Sequence, residues 1–319
     1  MEPALRSPLF TTQVVKAMQS LYPEELADRA WDNVGLLQEN INPASGTVPR
    51  RVLLTNDLTL HVAEEAIKKQ ASVIVSYRRN SHHTISHAPI NHPSTDPFIF
   101  RGLKSLTLAD PHQRIVLRLA QHNIAVYSPH TAVDAVLGGV NDWLGSILNK
   151  LPGNPILPDV VVQPIKGPVP AGFEGAGYGR RIELNYATDL ASIARVYGAE
   201  LGLKHVMVVR PRTADTDVSI RTVAVCAGSG YSVLKDVDAD LIITGEMSHH
   251  DALRLKMLGK CVLTLFHSNS ERGFLKAVLQ PQLEEVLGVL GRTEGGVEVL
   301  VSEEDADPFE IWEAEVGGA

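Results

Sequence analysis

Along the chain, short apolar runs alternate with longer stretches in which apolar residues recur every three or four positions. The first pattern reads as buried strand and the second as amphipathic helix, so the rhythm predicts an α/β protein. "TTQVVKAMQSLYP" reads as a helix opened by a threonine cap and stopped at Pro23. "RVLLTND" is a buried strand, "TLHVAEEAIKKQ" a helix and "ASVIVSY" a strand. "DPHQRIVLRLAQHN" is a helix capped by Asp110, with Pro111 in its first turn, and "IAVYSPHT" is the next strand. The Pro- and Gly-rich 151–178 separates a first lobe, 1–150, from a second, 179–302, that repeats the alternation. In that lobe "RRIELNY", "KHVMVVR", "IRTVAVCAG", "ADLIITGEM" and "KCVLTLF" read as strands, and "DLASIARVYGAEL", "SHHDALRLKMLG" and "SERGFLKAVLQPQLEEVLGVL" as helices. Residues 303–319 read as a solvated acidic tail after a last strand, "VEVLV". Strand–helix–strand in short steps predicts sheets covered by helices on both faces.

The net charge of −8 argues against a general nucleic-acid or membrane-surface binder, since phosphate contacts need clustered Lys and Arg. No apolar run approaches the ~20 residues of a spanning helix, and the N-terminus carries no secretory pattern. Cys226 and Cys261 each sit inside an apolar run and read as buried, reduced thiols. These features predict a cytoplasmic protein, with the nucleus as a second compartment.

In open α/β sheets, ligands bind beyond the carboxyl ends of strands. Those positions are unusually polar here. His130 and Asp134 follow "IAVYSP", "GSGYS" follows "VAVCA", Glu246, Ser248, His249, His250 and Asp251 follow "DLIITG", and His267 and Glu271 follow "KCVLTLF". With a helix starting at the intervening "SNS", His267 and Glu271 share its first turn and converge. An imidazole and a carboxylate, joined by an Asp from elsewhere, suit a divalent first-row metal. Taken singly, each of these histidines reads more readily as a helix cap or a satisfied core residue, and "EMSHHD" reads equally well as an N-cap at Ser248 with a polar first turn.

"WDNVGLL", "HTAVDAVLGGVNDWL", "GAGYGR", "VAVCAGSG", "ITGEMSHHDAL" and "LFHSNSERGFL" occur in order over nearly the whole chain. Together they resemble the NGG-interacting factor three family, also described as YbgI-type dinuclear metal-centre proteins or type-two GTP cyclohydrolase I-like proteins. The resemblance implies two interlinked α/β lobes with helix-covered sheets and a cleft between them. Two divalent ions per chain (Zn, Fe, Mn or Ni) would sit there, in homo-oligomers that are ring-like hexamers built from dimers. It places metal ligands on Asp134, His267 and Glu271, with Phe266 standing where the family often has Gly. Glu246, His249 and His250 become candidates for supporting the ligands or moving protons. Two functions follow as expectations: a metal-dependent, cyclohydrolase-like hydrolase of a nucleotide or related ring, or a non-enzymatic metal-handling scaffold that binds partners such as a transcriptional adaptor.

One stretch breaks the pattern. The family carries "HHP" after an early strand, then an apolar triplet and a Lys. Here the strand ends at Tyr77, in place of the first His, and "PFIFRGLK" follows with Lys104 in register, but Arg78–Asp96 intervenes. Replacing those nineteen residues by one histidine restores "VIVSYHPFIFRGLK". Arg and Asp codons permit a GT…AG boundary whose removal leaves CAC, a histidine codon. Residues 78–96 therefore read as translated intron, an expectation that fails if the dominant mature transcript retains these codons. The rival reading keeps His82, His83, His87 and His92 as a metal-recruiting loop, with His92-Pro93 imitating the lost motif and His92 as a fourth metal ligand.

Overall fold

The computed structural model describes residues 5–43, 46, 48–78, 106–153, 160–211, 218–290 and 296–312. Eleven strands are found among them: β1 (Gly35–Gln38), β2 (Arg51–Thr55), β3 (Val73–Ser76), β4 (Ala125–Ser128), β5 (Val160–Pro164), β6 (Gly177–Thr188), β7 (Met207–Val209), β8 (Ile220–Cys226), β9 (Leu241–Thr244), β10 (Cys261–Thr264) and β11 (Glu298–Val301). They form two mixed sheets, in the orders β1-β4-β3-β2-β11 and β5-β6-β8-β9-β10-β7. Each sheet has a parallel heart, β4-β3-β2 in the first and β8-β9-β10 in the second.

Burial on both faces explains the near-continuous apolar reading of these central strands. In the first sheet, Val52, Leu54, Val73, Val75 and Tyr127 face α1 (Leu9–Leu21) and α10 (Gln280–Leu290). The alternate residues Leu53, Ile74 and Val126 face α2 (Leu60–Lys68) and α3 (Pro111–Gln121). The second sheet repeats the scheme. Val223, Val225, Ile243 and Leu263 pack toward α6 (Leu190–Leu201), while Ala224, Ile242 and Val262 pack toward α7 (Tyr231–Leu234) and α8 (His249–Met257). Cys226 and Cys261 are buried and free. No helix among the described residues is long and apolar enough to cross a membrane.

Local chemistry sets most helix starts. The Asp110 carboxylate accepts from the backbone N–H of His112 and Gln113 at 2.9 Å each, with Pro111 at the first position of α3. Ser248 caps α8 as its sequence position predicts. The first helix departs from expectation. It begins at Leu9 behind Pro8, and the Thr11 hydroxyl donates to buried Asn40 instead of capping. Three further differences concern the lobe boundaries. The connector 151–178 contains the edge strand β5, paired antiparallel with β6. The last strand, β11, pairs in parallel with β2, so the chain returns from the second lobe to complete the first sheet. The start of the acidic tail is held: Glu65 accepts from the backbone of Glu303 at 2.9 Å, and Asp305 is buried against Arg272.

Candidate metal centre

The carboxyl ends of the two parallel triplets meet. The first sheet contributes Asn56 and Asp57 after β2, Tyr77 and Arg78 after β3, and His130 and Asp134 after β4. The second contributes Gly228 and Ser229 after β8, Glu246 after β9, and His267 and Glu271 after β10. Several hydrogen bonds cross between them. Asn56 donates from Nδ2 to Glu271 Oε2 at 3.2 Å, and Arg78 donates from Nε to the same oxygen at 2.7 Å. Asn141, on α5 (Val140–Ser146), donates to the Asp134 carbonyl at 2.9 Å and accepts from Ala227 N–H at 2.9 Å.

His267 precedes α9 (Asn269–Phe274) and Glu271 lies in its first turn, the arrangement expected from their spacing. Imidazole Nε2 and carboxylate Oε1 face one another 3.6 Å apart. The other ring nitrogen, Nδ1, donates to Glu246 at 2.7 Å, and the Ser229 hydroxyl donates to the same carboxylate oxygen. These hydrogen bonds, the one from His267 first, hold the Glu246 carboxyl down to about 2. With its proton on Nδ1, His267 presents an Nε2 lone pair toward Glu271. The residue before it, Phe266, has φ 64°, a left-handed conformation that glycine adopts freely.

Gly228 makes room for the pair. Its φ is +61°, and a Cβ there would lie 2.5 Å from Glu271 Oε1 and 2.8 Å from His267 Nε2. Any side chain at this position would occupy the space between the two donors. The "GSGYS" segment, otherwise a plain tight turn, thereby acquires a specific reason for its first glycine.

A second histidine is oriented in the same way. His130 Nδ1 lies 3.0 Å from both oxygens of buried Asp32, and Trp31 stands edge-on to its ring at 5.7 Å. Backbone strain accompanies this placement, with φ 30° at His130. Asp134 is partly buried, and burial pushes its carboxyl up to about 6, with the His130 ring opposing the shift. It accepts a hydrogen bond from the Tyr77 hydroxyl. Burial, reinforced by the charges of Asp134 and Glu271, pushes that hydroxyl far up, so it stays protonated. Among the described residues, no three His, Cys, Asp or Glu side chains close on one point.

The donor set fits a divalent ion on one side of Glu271. Ligand atoms ~2.0–2.2 Å from a tetrahedral ion are about 3.4 Å apart, close to the His267–Glu271 separation of 3.6 Å. Of the other sequence candidates, His249 and His250 are exposed on the first turn of α8, edge to face at 5.7 Å. His92, with His82, His83 and His87, and Lys104 lie outside the described residues. Sequence reasoning missed Asn56, Asp57, Asp32 and Asp305. Asp305 accepts from the backbone N–H of Asn56 at 2.6 Å and sits 3.3 Å from Arg272, bracing both walls of the cleft.

Residues 10–308 match the Duf34/NIF3 (NGG1p interacting factor 3) family. Protein NIF3 homolog of Schizosaccharomyces pombe is 42% identical over 305 residues, covering 94% of this chain and 97% of that protein. NGG1-interacting factor 3 of Saccharomyces cerevisiae is 36% identical over 308 residues, covering 94% of this chain and 96% of its own length. A Bacillus cereus protein related to NIF3 superposes with TM-score 0.70 at 21% identity, covering 94% of this chain and 98% of its own.

Proposed function

The chain belongs to the Duf34/NIF3 family, and from that premise and the cleft we propose that it is a metal-dependent hydrolase acting on a nucleotide or related ring. The observation that carries this reading is the facing pair of His267 Nε2 and Glu271 Oε1, with His267 fixed from behind by Glu246. His267 and Glu271 would hold one divalent ion of the Zn, Fe, Mn or Ni type, because an imidazole beside a carboxylate is a borderline-soft set, and Asp134 is the further ligand that the family resemblance implies. Such an ion supplies a coordinated water with a pKa near ~7.

The rest of the work belongs to the chain's own groups. Glu246 keeps the imidazole proton on Nδ1, so His267 keeps its orientation and tautomer. Tyr77 keeps its proton and donates a hydrogen bond to Asp134, which holds that carboxylate in the cleft. His130, backed by Asp32 as His267 is backed by Glu246, offers an Nε2 able to accept or return a proton near the site.

A second reading, a scaffold that binds a protein partner, draws on two facts. One is the name of the budding-yeast relative, NGG1-interacting factor 3. The other is the exposed apolar set Phe309, Ile311 and Trp312 within an acidic segment. Alanine at Asp134 and His267 separates the two. Loss of metal together with loss of turnover on a nucleotide panel supports the hydrolase, whereas partner binding that survives metal loss, with no turnover in the intact protein, supports the scaffold.

A further inference from the structure

Outside the cleft, the second sheet carries a hollow that is basic and apolar at once. Between the C-terminal half of α6 and the loop leading into β7 lies a cavity of about 310 Å³, lined by Arg195, Gly198, Ala199, Leu203, Lys204 and His205. Gly198 and Ala199 take up little room, while Arg195, Lys204 and His205 are exposed around it. Arg195 donates to the Ala191 carbonyl at 3.2 Å and the Ser192 hydroxyl at 3.1 Å, neither of which carries charge. Glu200, on the same helix, is turned to Lys150 at 3.9 Å. Just beyond the cavity, β7 is the last strand of the second sheet and exposes Met207 and Val208.

The end of the chain has the opposite character. No Lys or Arg follows Arg292, and Asp307 and Glu310 interleave with Phe309, Ile311 and Trp312, which are 75%, 54% and 81% exposed. An aromatic side chain buries about 150–250 Å² when covered, so two bare rings in one short segment leave a large apolar area in water. The segment is tethered at Asp305, which is held by Asn56 and Arg272. From there to Trp312 the chain can span about 25 Å at most. Trp312 does not enter the cavity of its own chain: its indole Nε1 donates to Glu310 at 2.7 Å and its ring lies open to solvent.

We propose that this tail docks in the basic cavity of a second copy, with Trp312 seated over Gly198 and Ala199, and with Asp307 and Glu310 facing Arg195, Lys204 and His205. Each chain carries both a cavity and a tail, so two copies that exchange tails satisfy both contacts at once and the assembly closes. Apolar burial supplies the affinity, and the unlike charges steer the encounter and fix the register. The contact uses none of the cleft residues, so it is independent of either reading of the cleft.

The test is the mass of the full chain by light scattering and sedimentation equilibrium over a wide concentration range. Two charge-reversed proteins accompany wild type: a cavity variant, Arg195→Glu with Lys204→Glu, and a tail variant, Asp307→Lys with Glu310→Lys. None of the substituted residues is buried, and thermal melts report folding. Wild type is expected to self-associate and each variant alone to dissociate. An equimolar mixture of the two variants should reassociate, because it again sets every tail against a cavity of opposite charge. Trp312→Ser should raise the dissociation constant about 30-fold or more, the scale of an aromatic anchor. Variants that keep the wild-type mass, or a mixture that stays dissociated, overturn the inference. So does a monomeric wild type: Trp312 shielded from acrylamide would then place the tail in its own chain's cavity, and Trp312 open to acrylamide would leave the cavity to another occupant.

Discussion

Arg180 is the most completely satisfied buried charge in the molecule's described part, and removing it has a calculable cost. Its side chain is 0% exposed, and all five N–H groups are used. Nε and Nη2 grip the two oxygens of Asp142 at 2.7 and 2.6 Å. Nη1 donates to the carbonyls of Gly177 and Gly179, at 2.7 and 2.9 Å, and Nη2 also donates to that of Val136 at 3.2 Å. Truncation in Arg180→Ala orphans three carbonyls and a carboxylate at once. Charge-assisted hydrogen bonds are each worth ~1.5–3 kcal/mol, but Asp142 is partly exposed and regains water, so a simple sum overcounts. Breaking a buried ion pair typically costs about 3–5 kcal/mol, and the lower half of that range applies here. For a protein of this size that corresponds to a fall of roughly 4–6 °C in Tm. Arg180→Lys keeps the charge but not the five-donor fork, and should recover only part of the loss. Differential scanning calorimetry on both variants and on Asp142→Ala checks the reasoning, with the double variant less damaged than the sum of the singles. A loss below about 1 kcal/mol for Arg180→Ala would refute it. Val136 lies just beyond α4 (Thr131–Ala135), which carries Asp134, so metal affinity should fall as well.

Gly228→Ala should cost about 1–2 kcal/mol from its left-handed backbone alone and abolish metal uptake, because the new methyl collides with Glu271 and His267; dialysis alongside a thermal melt reads both. Glu246→Gln leaves the fold intact but weakens metal affinity about 10–100-fold by loosening His267, measurable by calorimetric titration. Glu65 tests electrostatics away from the site. Burial opposes its charge, but Lys69, the Ser302 hydroxyl and the Glu303 N–H outweigh it and lower its pKa. A carboxyl with a depressed folded pKa stabilises fully above its unfolded value of ~4.3 and loses that contribution as pH falls through the folded value. The Tm gap between wild type and Glu65→Gln should therefore be widest near pH 7 and shrink below about pH 4; a gap that widens on acidification contradicts the assignment.

Much of the site was written in local pattern. The four-residue spacing of His267 and Glu271, together with a helix opening between them, predicted their convergence, and the structure faces them. Asp110–Pro111 and Ser248 announced their helices because capping is local chemistry. What local pattern could not carry was partnership across the chain. Asn56 and Asp57 look like the polar end of an ordinary strand until β10 brings Glu271 opposite them. Asp305 looks like one more charge in a solvated acidic run, and only the return of β11 to β2 puts it under Asn56 and Arg272. Pro281 illustrates the same limit. The helical run containing it persists because a wider π turn, Leu275–Leu279, immediately precedes it.

The most direct test of a cation site between the two sets of strand ends is a crystal of the full chain soaked in Zn²⁺, with diffraction recorded on both sides of the zinc edge. An anomalous peak ~2 Å from both His267 Nε2 and Glu271 Oε1 is the expected result. A peak only at the exposed His249–His250 pair, or no peak in the cleft at all, would contradict the account.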